Sequence, residues 1–385
     1  MINSIEIKNF KSIKKKFFPL GNLNLLMGLN GMGKSSFIQT LLLLRQSDNL
    51  MRRGELKLNG SYTSIGDTKD ALYQYDKEQS LQFILRYGED EETFLDFDFK
   101  QEADVFTLKN ATGGTTPDFQ NSNFFKEDLF GNNFQYLNAN RLEPSSIHSK
   151  SYTSVVTLND VGNHGEYTAH FIEVHGNEDI RFENLLHPKS KSIDSVTKQE
   201  VTVKSLINQI NLWMGEISPG VNVRTTAIPN SEKMLLEFVF IQPNLGNTNR
   251  FKPTNVGFGI SYALPVVTAL LAARPHEIII IENPEAHIHD RGQAELGRLI
   301  SLVAMNDVQI FIETHSEHVL NGVRVAVKEN ELLQERVNVF YFEKKIDTTE
   351  QYSKITNINI DKNGQLSEYP KDLLDEWSNQ LAKLV

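Results

Sequence analysis

In three stretches of the first hundred residues, apolar side chains fall at nearly every second position. Ser4-Ile5-Glu6-Ile7-Lys8-Asn9-Phe10 has this period, Leu81 to Tyr87 fits it, and Thr93 to Phe99 keeps it apart from Phe94, as half-buried strands do. Elsewhere the pattern changes. Leu23 to Met27, Ile278 to Ile281 and Val308 to Ile312 are apolar runs with almost no alternation, the mark of strands covered on both faces of a parallel sheet. Helical spacing occurs from Ser36 to about Arg45 or Met51, from Ser205 to Ile217, up to about Ala273, from about Arg291 to Ala304, and from Leu373 to Leu384. Further strands are predicted from Tyr136 into a polar turn ending at Pro144, at Val221–Arg224, Met234–Ile241, Val337–Phe342 and Tyr352–Ile360. Residues 108–134, rich in Asn, Gly and Thr, predict a loop or weak hairpin, and Lys189-Ser190-Lys191-Ser192 a flexible tip,. Buried strands alternating with helices indicate an α/β fold. No fixed-period repeat and no sustained heptad pattern occurs, so no coiled-coil arm is expected,.

The chemistry enters between the strand at Leu23 and the helix after Ser35. Gly28-Leu29-Asn30-Gly31-Met32-Gly33-Lys34-Ser35 is a complete G-x-x-x-x-G-K-S loop. Its glycines let backbone N–H groups converge on phosphate oxygens. Lys34 supplies a point charge, Ser35 a hydroxyl for Mg²⁺, and the following helix its positive end. A nucleoside triphosphate site over Asn30, Gly31, Met32, Gly33, Lys34, Ser35 and Ser36 is predicted, with ATP and Mg²⁺ as cofactors.

Such a site needs a carboxylate at the end of a neighbouring buried strand, and four isoleucines ending in Glu282-Asn283-Pro284-Glu285 meet that need. Asn255-Val256-Gly257-Phe258-Gly259-Ile260-Ser261 opens a helix, where backbone N–H groups can meet an anion. His315, in Glu313-Thr314-His315-Ser316, follows another buried strand and points to a ligand crevice in an open α/β sheet. His287 and His289 have no third ligand at useful spacing and read as structural or interface residues.

Composition narrows the classes. The 385 residues include no cysteine, which excludes disulfides and thiolate chemistry and fits a reducing compartment,. The longest apolar run, Ala263 to Ala273, is too short to span a bilayer, so a cytoplasmic protein is expected,. Net charge is −10, opposite to that of a chain living on phosphate-backbone contacts. Lys8, Lys11, Lys14, Lys15 and Lys16 form the only dense basic stretch; it reads as a solvated face, with nucleic-acid contact as the alternative,.

Taken in order, these elements resemble the ABC-type ATPase heads of the RecF, SMC and overcoming-lysogenization-defect group, and among them short prokaryotic ATPases of antiphage defence loci. Ile5 to Ile13 is similar to the opening strand of that group and Gly28–Ser35 to its Walker A loop. Asn255–Ser261 is similar to a divergent signature loop, Glu282–His289 to the Walker B and D-loop run, and Thr314-His315-Ser316 to the switch histidine. The resemblance implies one head domain over residues 1–385, with a mixed central sheet, an antiparallel β subdomain and a smaller helical lobe. Lobe I would span roughly 1–144 and 275–385, and lobe II roughly 145–274. It implies a homodimer on ATP binding, with Gly257, Gly259 and Ser261 acting in trans, and Ser35 and Glu282 holding the metal. Asn283, Glu285 and His315 would serve catalysis. Two departures matter. Glu282 replaces an aspartate, and Asn283 stands where the catalytic glutamate is usual, leaving Glu285 as the base and implying slow turnover. Residues after His315 lack the acidic cluster of an appended nuclease, so a separate effector, a nuclease, is the expected partner, with DNA or RNA contact possible and no membrane. The alternative is a DNA repair or recombination ATPase acting directly on DNA.

Overall fold

The computed structural model describes residues 1–88, 91–112, 119, 122–193, 199–242, 246–371, 373–374 and 380–384. The chain divides into two compact units, residues 1–134 with 334–361 and 365–385, and residues 135–333 with 362–364.

In the first unit the predicted alternation produces an antiparallel sheet. Ile2–Phe10 pairs with both Ile13–Pro19 and Ser80–Tyr87, which continues into Glu91–Asp98 and Val105–Ala111. Ile5, Ile7, Phe83, Leu85, Leu95 and Phe97 are buried, and rings interlock across the strands, Phe10 with Phe83 at 6.0 Å and Phe83 with Phe97 at 6.1 Å,. A second layer is parallel: Val337–Ile346 runs beside Leu23–Gly28, with Tyr341 opposite Met27, then turns back as Gln351–Ile358. The helix Lys34–Gln46 has Phe37, Ile38 and Leu41 to Leu44 fully or almost fully buried. A helix so enclosed belongs to the core rather than to a surface. Residues 108–134, expected as loop or hairpin, include the end of strand Val105–Ala111 and 3₁₀ turns at Asn123–Lys126 and Asp128–Phe130. Phe119, Phe124, Phe125 and Phe130 cluster there at 4.8–6.0 Å spacings, an apolar core that the polar composition hides.

In the second unit Ile278–Glu282 and Gln309–Glu313 pair in parallel, Ile280 opposite Phe311, with every isoleucine fully buried. Helices Asp290–Ala304 and Glu317–Lys328 approach through glycines. A Cβ on Gly297 would stand 2.3 Å from the Val319 carbonyl oxygen, and one on Gly322 2.1 Å from that of Ala294. Helix Leu206–Ile217 and the pair Val221–Ala227 with Lys233–Gln242 complete the unit's main elements. Lys189–Ser192, expected as a tip, forms the end of the 3₁₀ turn Pro188–Ser190 and the start of strand Lys191–Ile193. Ser190 is buried, its hydroxyl 2.6 Å from the His187 carbonyl oxygen and 3.1 Å from Gln209 Oε1. Within the predicted Leu373–Leu384 helix, residues 375–379 lie outside the described residues; 380–382 are helical, whereas 373–374 and 383–384 are not.

One buried acid of this unit gives a stability prediction. Glu277 is 4% exposed and accepts the Arg274 N–H at 2.7 Å. Burial pushes its carboxyl up to about 7 from 4.5, against the smaller pull of that hydrogen bond and of Arg274. The folded chain therefore holds this proton more tightly than the unfolded chain. The contribution is complete below the unfolded value and is lost as pH rises through about 7,. Glu277→Gln is expected to flatten the stability–pH curve in that window. It should raise stability at pH ~8 by up to about 3 kcal/mol, read from urea unfolding at several pH values.

Candidate nucleotide site

The first unit holds the phosphate loop. Strand Leu23–Gly28 ends against its neighbour so closely that a Cβ on Gly28, whose φ is +134°, would stand 2.3 Å from the Phe342 carbonyl oxygen. Gly31 (φ +75°) and Gly33 (φ +104°) turn the chain back into the helix at Lys34. That helix has no side-chain N-cap and no acid in its first turn, so nothing of the chain's own chemistry opposes an anion there. Lys34, 3% exposed, folds its ammonium onto the carbonyls of Gly28 at 2.8 Å and Leu29 at 2.9 Å. A cation held over a glycine cradle fits a bound phosphate, which would replace these weaker acceptors. Ser35 is exposed at the helix start.

The loop is braced from both termini. Ser353 Oγ donates to the Met32 carbonyl at 2.7 Å and lies 2.7 Å from Ser12 Oγ, while its N–H donates to the Ser12 carbonyl at 2.8 Å. A Cβ on Gly33 would collide with both hydroxyls, at 2.3 and 2.5 Å.

The second unit gathers Glu282, Asn283, Glu285 and the His315 backbone. Asn283 takes φ +45° just before Pro284, and its N–H donates to the Glu313 carbonyl at 2.7 Å. An asparagine tolerates this left-handed conformation better than most residues. Its Oδ1 is buried without a hydrogen bond. Glu285 Oε1 accepts the His315 N–H at 2.8 Å, and Oε2 is buried without a hydrogen bond of standard geometry. Burial raises the Glu285 carboxyl above its ordinary value, against the His315 N–H, the Thr314 hydroxyl and Arg141. Burial raises Glu282 likewise, opposed by the Tyr136 hydroxyl.

Helix Phe258–Leu271 begins at Gly257, again with no side-chain cap and no acid in its first turn. Gly259 sits directly on the turn after Glu285, since a Cβ there would stand 2.3 Å from the His287 carbonyl oxygen. Gly257 and Phe258 are exposed, whereas Ser261 Oγ is buried without a partner. His287 packs its ring on Tyr262 at 4.9 Å and lies 5.9 Å from Phe258. Among the described residues no group of three or more His, Asp or Glu is placed to hold a metal ion.

Sequence reasoning missed two residues of this unit. Tyr136 donates its hydroxyl to Glu282 Oε1 at 2.8 Å. Arg141, 2% exposed, donates to the carbonyls of Glu282 at 2.8 Å, Asn138 at 3.3 Å and Asn283. Burial lowers the guanidinium to about 10, so it stays charged at neutral pH and pins the turn between Glu282 and Pro284. The one available signal was the polar turn after a predicted strand.

Braced phosphate loop, buried parallel strands and glycine-led helix define a P-loop nucleotide-binding head with a mixed α/β fold. The family described as AAA ATPase domain (AAA_15) matches residues 1–320, and the chain belongs to it. Residues 332–384 match a second family, DUF3696, described as a protein of unknown function. No curated protein matches. Among solved structures the chain is similar to an SMC head bound to the C-winged helix domain of ScpA. Identity there is 13%, over 94% of this chain and 98% of that chain, with TM-score 0.55. It is also similar to an Smc head domain with an extended coiled coil bound to the C-terminal domain of ScpA derived from Pyrococcus furiosus. Identity is 11%, over 100% and 99% of the two chains, with TM-score 0.51. The likeness is one of fold, the ABC-type ATPase head. No helix among the described residues is long and apolar enough to cross a membrane.

Proposed function

We propose that this ATPase is a slow, nucleotide-gated switch. Two copies close around ATP and Mg²⁺, and the closed dimer controls a separate effector, a nuclease, in prokaryotic antiphage defence. Asn30 to Ser36 hold the phosphates, with Lys34 as the charge. Ser35 and Glu282 serve the metal, which would draw charge off the terminal phosphate. Glu285 accepts the proton of the attacking water, Asn283 and His315 orient that water, and Gly257 and Gly259 act on the nucleotide of the partner copy, while the Ser261 hydroxyl, buried within its own chain, stands behind them. Supporting this reading above all is the uncapped, acid-free helix start at Gly257, exposed at its tip and seated on the turn that bears Glu285. An anion site of that kind, rigidly joined to the catalytic turn, suits a second subunit's phosphate. The effector role rests on the family resemblance, and on the bound partner that both similar SMC head structures carry,.

Direct action on DNA is the second reading, and the lysines weigh against it. Lys8 pairs with Glu78, Lys14 with Glu350 and Lys15 with Glu6, while Lys16 donates to the Ile355 carbonyl. Light scattering gives the test. Mass is expected to double on adding ATP and Mg²⁺ and to fall back after hydrolysis. An unchanged mass in every nucleotide state rules the switch out.

A further inference from the structure

The hairpin formed by Val337–Ile346 and Gln351–Ile358 lies inside the segment matched by the family of unknown function. Beyond bracing the phosphate loop through Ser353, it borders a cavity of about 610 Å³ in the first unit. Gly31 and Met32 of the phosphate loop form one side, Ser12 and Ser353 adjoin them, and Tyr73 and Tyr352 also line it. Glu350 lies in the hairpin's turn, one residue before Gln351 of the lining. It takes Lys14 Nζ at 2.6 Å and the Tyr73 hydroxyl at 3.0 Å, which ties Tyr73 of the lining to the C-terminal hairpin. Tyr352 is half-buried, its ring 5.7 Å from Lys14 Nζ and 5.8 Å from Lys345 Nζ.

We propose that this cavity is the nucleoside subsite, and that the C-terminal hairpin supplies, through Tyr352, the face on which the base stacks. This deepens the reading of the phosphate loop as a nucleotide site and rests on it. A triphosphate seated on the N–H groups around Gly33 and Lys34 has its sugar and base beyond the loop, and Gly31 and Met32 are shared by loop and cavity. Aromatic rings there suit a flat base, because every base has a π face. The cavity exceeds the volume of one nucleoside, so binding needs no opening of the core. The hairpin thereby does two jobs: Ser353 sets the loop that takes phosphates, and Tyr352 takes what the phosphates carry.

Calorimetry on the full chain separates the two parts. ATP and inorganic tripolyphosphate, each with Mg²⁺, are titrated into the wild type and into Tyr352→Ala, Tyr352→Leu, Tyr352→Phe and Lys34→Ala. Tyr352→Ala and Tyr352→Leu are expected to weaken ATP at least tenfold and tripolyphosphate less than twofold, while Tyr352→Phe keeps both. Retained tripolyphosphate binding also certifies the fold. If ATP binds Tyr352→Ala and Tyr352→Leu as tightly as the wild type, the subsite assignment is wrong and the phosphate loop stands. If every Tyr352 variant loses both ligands together, the hairpin is a brace alone and the assignment is again wrong. If Lys34→Ala binds both ligands as the wild type does, the nucleotide reading itself fails.

Discussion

Glu285→Gln is expected to lower ATP turnover by about 100-fold or more while leaving ATP affinity within about twofold. The replacement keeps the size of the side chain and the acceptor for the His315 N–H, so the turn should survive and only the proton-accepting oxygen is lost. Asn283 cannot take over, because an amide orients water without accepting its proton. Glu285 is suited to the role. One oxygen is fixed by the His315 N–H, the other has no hydrogen bond of standard geometry, and burial makes the carboxylate a stronger base than an exposed one,. The pH dependence follows with a definite sign. Turnover should rise with pH through the raised Glu285 value and then level off, and the variant should lose that rise. The measurement is steady-state phosphate release from pH 5 to 9 with ATP binding in parallel, and unimpaired turnover would remove Glu285 from the mechanism. Where the reading of a gated dimer holds, the variant also accumulates as the closed form in ATP, visible as a doubled mass.

Lys34→Ala should weaken ATP binding at least about 100-fold, close to 3 kcal/mol. The ammonium is buried and already directed at the loop by the carbonyls of Gly28 and Leu29, so little ordering remains when phosphate arrives. The loss therefore reads mainly as charge. Lys34→Met, which keeps the apolar stem packed, controls for stability. Its melting temperature should stay near that of the wild type, and its affinity should fall as far as that of the alanine variant. Affinity within threefold of the wild type in both variants would mean that the triphosphate does not sit on this loop.

The legible parts of the molecule were those with a strong period or a dense motif. Ile278–Glu282 and Gln309–Glu313 are strands where the unalternated isoleucine and phenylalanine runs place them. The helix after Gly257 begins at Phe258. Glu282 and Glu285 were readable because two acids close an apolar strand. What stayed hidden depends on contacts far apart in sequence. Nothing near Ser353 or Ser12 says that their hydroxyls meet at 2.7 Å. Arg141 gives no local sign of its hold on the carbonyls of Glu282 and Asn283, because a buried arginine is legible only from what surrounds it. Residues 108–134 misled for the opposite reason. Asn, Gly and Thr outnumber the phenylalanines whose rings organise the segment.

The Ser353–Met32 bond joins positions 321 residues apart, which has a consequence during synthesis. While the ribosome is still making the central part of the protein, the emerged N-terminal sheet lacks the strands that flank and latch its phosphate loop. The nascent chain thus gains its finished loop only after the hairpin of Val337–Ile346 and Gln351–Ile358 has been made.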